Sequence, residues 1–129
     1  MVRLAATVLV AAVVSSMAAS AFAEEANWKR GRIYYRSVCT SCHAAEAIGA
    51  IAPSTRTKAE WAAYLQADAH AKGADKVSRF LSKAYRAEIK GSNKAAEKFA
   101  DLSDEALTAD VAAFLARGAK DGDEPASCN

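Results

Sequence analysis

Apolar residues recur along this chain at helical spacing, and no run rich in valine or isoleucine alternates with polar positions as a half-buried strand would. The pattern predicts four helices. The first runs from about Asn27, placed as an N-cap, through WKRGRIYYRSVC into a cysteine motif. A loop containing Gly49 and IAPSTR follows, and Pro53 blocks helix continuation there. The second helix opens at Thr57 with the capping box TKAE, Glu60 at its third position, and WAAYLQAD carries it to about Asp68. AHAKGA breaks the pattern around Gly73. From about Asp75 a third helix is expected, with Val77, Phe80, Leu81, Ala84, Tyr85 and Ile89 at helical spacing and a stop at Gly91. After the polar loop GSNKAAEKFAD, Ser103 caps the last helix. Its Leu107, Val111, Phe114 and Leu115 face one way, and Gly118 ends it. The tail from about 119 reads as flexible. Neither an internal repeat nor an interdomain linker is visible.

The first residues change the picture of where the protein works. Arg3 followed by LAATVLVAAVVSSMAA, then Ala21-Phe22-Ala23 before Glu24, has the form of a signal peptide over residues 1–23, leaving one domain over 24–129. The apolar run is short for a membrane span, so cleavage and export to the periplasm are expected, with no membrane insertion afterwards. Losing Arg3 lowers the formal net charge from +2 to about +1. That balance argues against nucleic acid as a partner. A domain this small often needs a disulfide, metal or cofactor as a staple. Export permits disulfides, but three cysteines leave one over in simple pairing.

Two of those cysteines sit in CTSCH, with Cys39, Cys42 and His43 within five positions. A C-x-x-C for thiol–disulfide exchange belongs at a helix start after a strand, and no strand is predicted. A zinc site would need a second ligand pair, and only His70 and Cys128 remain, far apart in the chain. C-x-x-C-H, by contrast, is the attachment signature of c-type haem. Two thiols three positions apart on one helical turn reach the two vinyl groups on one porphyrin edge, and the adjacent imidazole points at the iron. Attachment outside the inner membrane agrees with the leader.

Further residues make the chain resemble the class I cytochromes c of bacteria. Gly31 and Tyr35 stand eight and four positions before Cys39, LSDEAL opens the last helix at 102–107, and Phe114 lies near its end. The resemblance implies an all-α cytochrome c fold of about four helices around one covalent haem, closed by a crossing of the first and last helices. It also implies that Pro53, ten residues past His43, lies in the segment whose backbone carbonyl supports the proximal histidine. Arg56 and Trp61 follow that loop and are candidates for holding a haem propionate. Members of the family usually place methionine on the far side of the iron. Here Met1 and Met17 both lie in the leader, so the mature domain has none.

His70, the only other histidine, is the first candidate for that position, followed by Lys94 in KGSNKAAEK and then Cys128 as a thiolate; an open iron is the fourth alternative. Any of these replaces methionine and lowers the midpoint potential. The expected function is one-electron transfer between periplasmic redox partner proteins, with no substrate chemistry and no catalytic residues. Two alternatives stay open. One is a haem protein that binds a small ligand at an open or weakly ligated iron. The other is a haem subunit of a larger oxidoreductase, with Cys128 as a possible disulfide partner. Basic residues on the first and third helices (Lys29, Arg30, Arg32, Arg36, Lys72, Lys76, Arg79, Lys83) can steer partners.

Overall fold

Asn27 starts the first helix as its spacing suggests. In a computed structural model that describes residues 25–126, its side chain accepts the Arg30 N–H at 3.1 Å and caps α1 (Trp28–Tyr34). The helix does not stop at Tyr34. It widens into a π-helical stretch, Tyr35–Cys39, and resumes as α2 (Thr40–Ala45). A π turn inserts one residue per turn and rotates everything after it, a device that recurs at functional sites. Cys39 thereby ends half-buried while Cys42 stays exposed.

Thr57 and Glu60 form the expected reciprocal capping box on α3 (Lys58–Ala67). Asp68 then turns left-handed, and its carboxylate accepts the Ser78 backbone N–H and hydroxyl, both at 2.7 Å, folding residues 69–76 back on the helix. The single helix expected over 75–89 is two, α4 (Val77–Phe80) and α5 (Lys83–Ile89). Ser82 divides them: its hydroxyl accepts the Tyr85 N–H at 3.1 Å and donates to the Arg79 carbonyl at 2.7 Å. A serine competing with the helix for backbone groups favours a cap over continuation. A fourth turn of helix, α6 (Lys94–Glu97), sits in the polar loop and is capped by Asn93. Ser103 caps α7 (Asp104–Gly118), the longest element. No strand occurs among the described residues, and the fold is all-α, as expected.

The core forms where α1 crosses α7. Gly31 makes the crossing close, since a Cβ there would lie 2.0 Å from the Asp110 carbonyl oxygen. Asp110 is itself fully buried; its carboxylate accepts the Asn27 N–H at 2.6 Å and pairs with the Arg30 guanidinium. Tyr34 packs edge-on against Phe99, and Tyr35 against Phe114, over Leu107, Val111 and Leu115. Buried Arg86 donates to the Leu81 and Leu102 carbonyls, which fixes the break between α4 and α5 against the start of α7. The tail expected to be flexible from about 119 is instead tied down as far as 126. Lys120 N donates to Arg56 O at 2.8 Å, Lys58 N to Asp121 Oδ1 at 2.7 Å, and Ser54 N to Ala126 O at 3.2 Å. Residues 1–23, where a leader is expected, and Cys128 lie outside the described residues. Among those described, no helix is long and apolar enough to cross a membrane.

Candidate functional site

The rotation imposed by the π turn sets Cys39, Cys42 and His43 along one wall of a thin cleft. Trp61, Tyr64 and Leu65 of α3, Val111 and Leu115 of α7, and His70 and Phe80 also line it. The cleft measures about 120 Å³. A cleft lined almost entirely by apolar surface suits a largely apolar ligand.

His43 and His70 face each other across the slot with ring centroids 5.7 Å apart and planes 13° from parallel. Neither ring makes a hydrogen bond among the described residues, and the Nδ1 of each is buried without a partner. Native structures leave few buried polar atoms unsatisfied, and each such atom is a place where a ligand, ion or water is accommodated. Burial, followed by the nearby His70 ring, holds the His43 pKa below the ordinary histidine value. Its neutral, electron-donating form is therefore favoured, and that is the form which ligates metal.

The backbone brings His70 to this place through a tight loop. His70 and Asp75 exchange backbone hydrogen bonds (2.8 and 3.3 Å), and Gly73 N donates to His70 O at 2.7 Å. Between them Ala71, Lys72 and Gly73 take φ values of 47°, 60° and 89° in succession. Left-handed backbone costs a non-glycine residue roughly 1–3 kcal/mol and clusters at functional sites. Phe80 lies 4.7 Å from the His70 ring and 5.1 Å from Tyr85, so two residues read from spacing as ordinary core stand beside the histidine pair. The Ser82 cap, visible as a serine before KAY, was the signal that α4 and α5 present these rings separately.

Cys39 borders the slot with its thiol pushed up to about 12 by burial. A protonated thiol is the opposite of what disulfide exchange requires. Arg56 lines the rim, exposed, with its guanidinium 5.2 Å from the Trp61 ring centroid and 5.0 Å from that of Tyr64; it makes no ion pair among the described residues. It remains available to an anionic group. The Pro53 carbonyl accepts the Trp61 indole N–H at 2.7 Å and makes no bond to His43 Nδ1. By the same contact the indole N–H is used internally, so Trp61 serves as a wall of the slot, leaving Arg56 as the candidate anion partner.

Lys94 is exposed at the start of α6 and does not border the slot. Its loop is held elsewhere, because Asn93 donates to the Ser37 carbonyl at 2.7 Å and accepts from Ala95 N at 3.1 Å. Of the ligand candidates within the described residues, His70 is the one placed opposite His43.

The family model for cytochrome c matches residues 28–118, from the first turn of α1 to the last of α7. Neither the curated proteins nor the solved structures yield a match to the chain.

Proposed function

The chain belongs to the cytochrome c family, and from that premise we propose that it is a periplasmic electron carrier whose single haem, attached through Cys39 and Cys42, is held between His43 and His70. The observation that carries this reading is the facing pair of unpartnered imidazoles at 5.7 Å, with both cysteines on the wall of the slot between them. When bound, the group supplies a reversible one-electron couple on iron.

The chain's own residues account for the rest. Cys39 and Cys42 are spaced so that their thiols would anchor the haem, and His43, directly after them, would give its imidazole to the iron. The paired backbone bonds of His70 and Asp75 present the second. Trp61, Leu65, Phe80 and Leu115 exclude water from the faces of the ring, while Arg56 at the rim can pair a propionate. Two imidazoles in place of histidine and methionine favour ferric iron, so the potential lies below that of methionine-ligated relatives. Residues 1–23 supply the export signal this location requires.

Absorption spectra of both oxidation states, with and without carbon monoxide, test the reading. A six-coordinate ferrous spectrum unaffected by carbon monoxide, converted by His70→Ala into a form that binds it at once, is the expected result. An unchanged spectrum in His70→Ala refutes distal ligation by His70. Binding of carbon monoxide by the unaltered protein favours a small-ligand function instead.

A further inference from the structure

His70 enters the slot from a strained segment. Among the described residues four non-glycine positions have left-handed backbone, and three of them flank His70: Asp68 at φ 49°, Ala71 at 47° and Lys72 at 60°. Left-handed backbone is disfavoured for any residue with a Cβ and persists only where the surroundings enforce it. Packing does not enforce it here, since residues 71–74 are all exposed. The turn is held from its ends.

Two sets of bonds do this. Close to the ring, His70 and Asp75 exchange backbone hydrogen bonds, the second of them long at 3.3 Å. Outside these, both oxygens of the Asp68 carboxylate are used on Ser78, one by the backbone N–H and the other by the hydroxyl. That pair ties the end of α3 to the start of α4 and closes residues 68–78 into a strap. An ion pair from Arg79 to Asp75 at 3.5 Å lies at the surface, where such pairs contribute little. The imidazole itself has no hydrogen bond or ion pair among the described residues; its ring neighbours are Phe80 at 4.7 Å and His43 at 5.7 Å. Whether His70 stands in the slot is therefore decided by the strap that carries it.

We infer that Asp68 is a positioning residue for His70: its bonds to Ser78 latch a strap that backbone strain at Ala71 and Lys72 drives open, which makes His70 a displaceable ligand. The inference rests on the ligation by His70 proposed above. Opening lets the left-handed residues relax to ordinary backbone and withdraws the His70 nitrogen from the slot. A neutral diatomic such as carbon monoxide then takes the position it leaves. One ligand replaces another, and no electron or proton is transferred. The latch thus separates two uses of one slot, electron carriage with the strap closed and ligand binding with it open.

The test follows carbon monoxide uptake by the ferrous holoprotein, together with hydrogen–deuterium exchange of the His70 and Asp75 backbone N–H groups in the ferric form. Asp68→Gly removes the latch while permitting the same left-handed backbone. It should take up carbon monoxide at least about 10-fold faster than any uptake by wild type, the least that a lost hydrogen bond to a charged group gives. Its rate should level off as carbon monoxide is raised, because opening limits it. His70→Ala, with no ligand to displace, should bind at once and at a rate linear in concentration. Adding Ala71→Gly/Lys72→Gly to Asp68→Gly relieves the strain and should slow uptake again by about 5-fold. The His70 and Asp75 N–H groups should exchange faster in Asp68→Gly and more slowly again in the combined variant, with the α7 amides unchanged. Uptake by Asp68→Gly no faster than by wild type overturns the latch. Uptake faster still in the combined variant overturns the strain that opens it. Equal acceleration of exchange in α7 makes Asp68 a general support of the fold and overturns its positioning role. An unchanged spectrum in His70→Ala overturns distal ligation itself, a failure distinguishable from that of the latch because the exchange rates read the strap without reference to the iron.

Discussion

Gly31→Ala measures how closely α1 and α7 are seated. The new Cβ would meet the Asp110 carbonyl oxygen at 2.0 Å, its carbon at 2.4 Å and Val111 N at 2.8 Å. All three are backbone atoms, so no side chain can swing aside and the helices themselves must part. Helix propensity acts the other way, since alanine is better than glycine by about 1 kcal/mol inside a helix. Overpacking costs about 1–3 kcal/mol. Separation also stretches the bonds from Asn27 and Arg30 to the buried Asp110 carboxylate, and weakening hydrogen bonds to a buried charge adds about 1.5–3 kcal/mol. The opposing terms leave a net loss of roughly 2–4 kcal/mol, which for a domain of this size lowers the melting temperature by on the order of 10–20 °C. Thermal and guanidinium unfolding of the holoprotein followed by far-ultraviolet circular dichroism reads both values. Gly91→Ala is the control, because nothing lies within 4 Å of a Cβ there and its φ is not positive; its stability should stay within about 0.5 kcal/mol of wild type. If Gly31→Ala is no less stable than Gly91→Ala, the close crossing is not what holds the fold together.

Trp61→Phe keeps the slot wall but leaves the Pro53 carbonyl without its donor, and should cost about 1–2 kcal/mol in guanidinium unfolding; no loss would mean the indole bond contributes nothing. Ser82→Ala removes the cap that separates α4 from α5 and should cost about 1 kcal/mol, read the same way; a more stable variant would show the break to be incidental. The Ser78 backbone N–H, and then its hydroxyl, hold the Asp68 carboxyl below its usual range. A carboxyl depressed in the folded state stabilises above its unfolded pKa of about 3.9 and loses that contribution as pH falls through the folded value. Wild type should therefore melt above Asp68→Asn at neutral pH, with the gap closing below about pH 4; a gap constant down to pH 3 would refute the linkage.

Much of the helical framework was legible because its signals are local. Asn27, the Thr57–Glu60 box and Ser103 announce three helix starts within windows of four residues, and each caps as its chemistry dictates. The break at Ser82 was missed because Val77 through Ile89 keep helical spacing across it, so periodicity outweighed the one local signal, a serine before KAY. The tail looked free for the converse reason. Its glycine, acids and proline carry no periodic pattern, yet Lys120, Asp121 and Ala126 find partners in the 54–58 segment, far away in the chain.

The same division runs through the site. CTSCH and the absence of methionine beyond residue 17 are properties of composition and spacing, and the spacing is that of a c-type haem attachment motif before any folding. Which side chain stands opposite His43, and which group takes the Pro53 carbonyl, were decided by tertiary structure alone. Those are distances between residues tens of positions apart. They depend on how the left-handed turn at 71–73, the Asp68–Ser78 bonds and the Gly31 crossing close the chain on itself, and no short window of sequence contains all three.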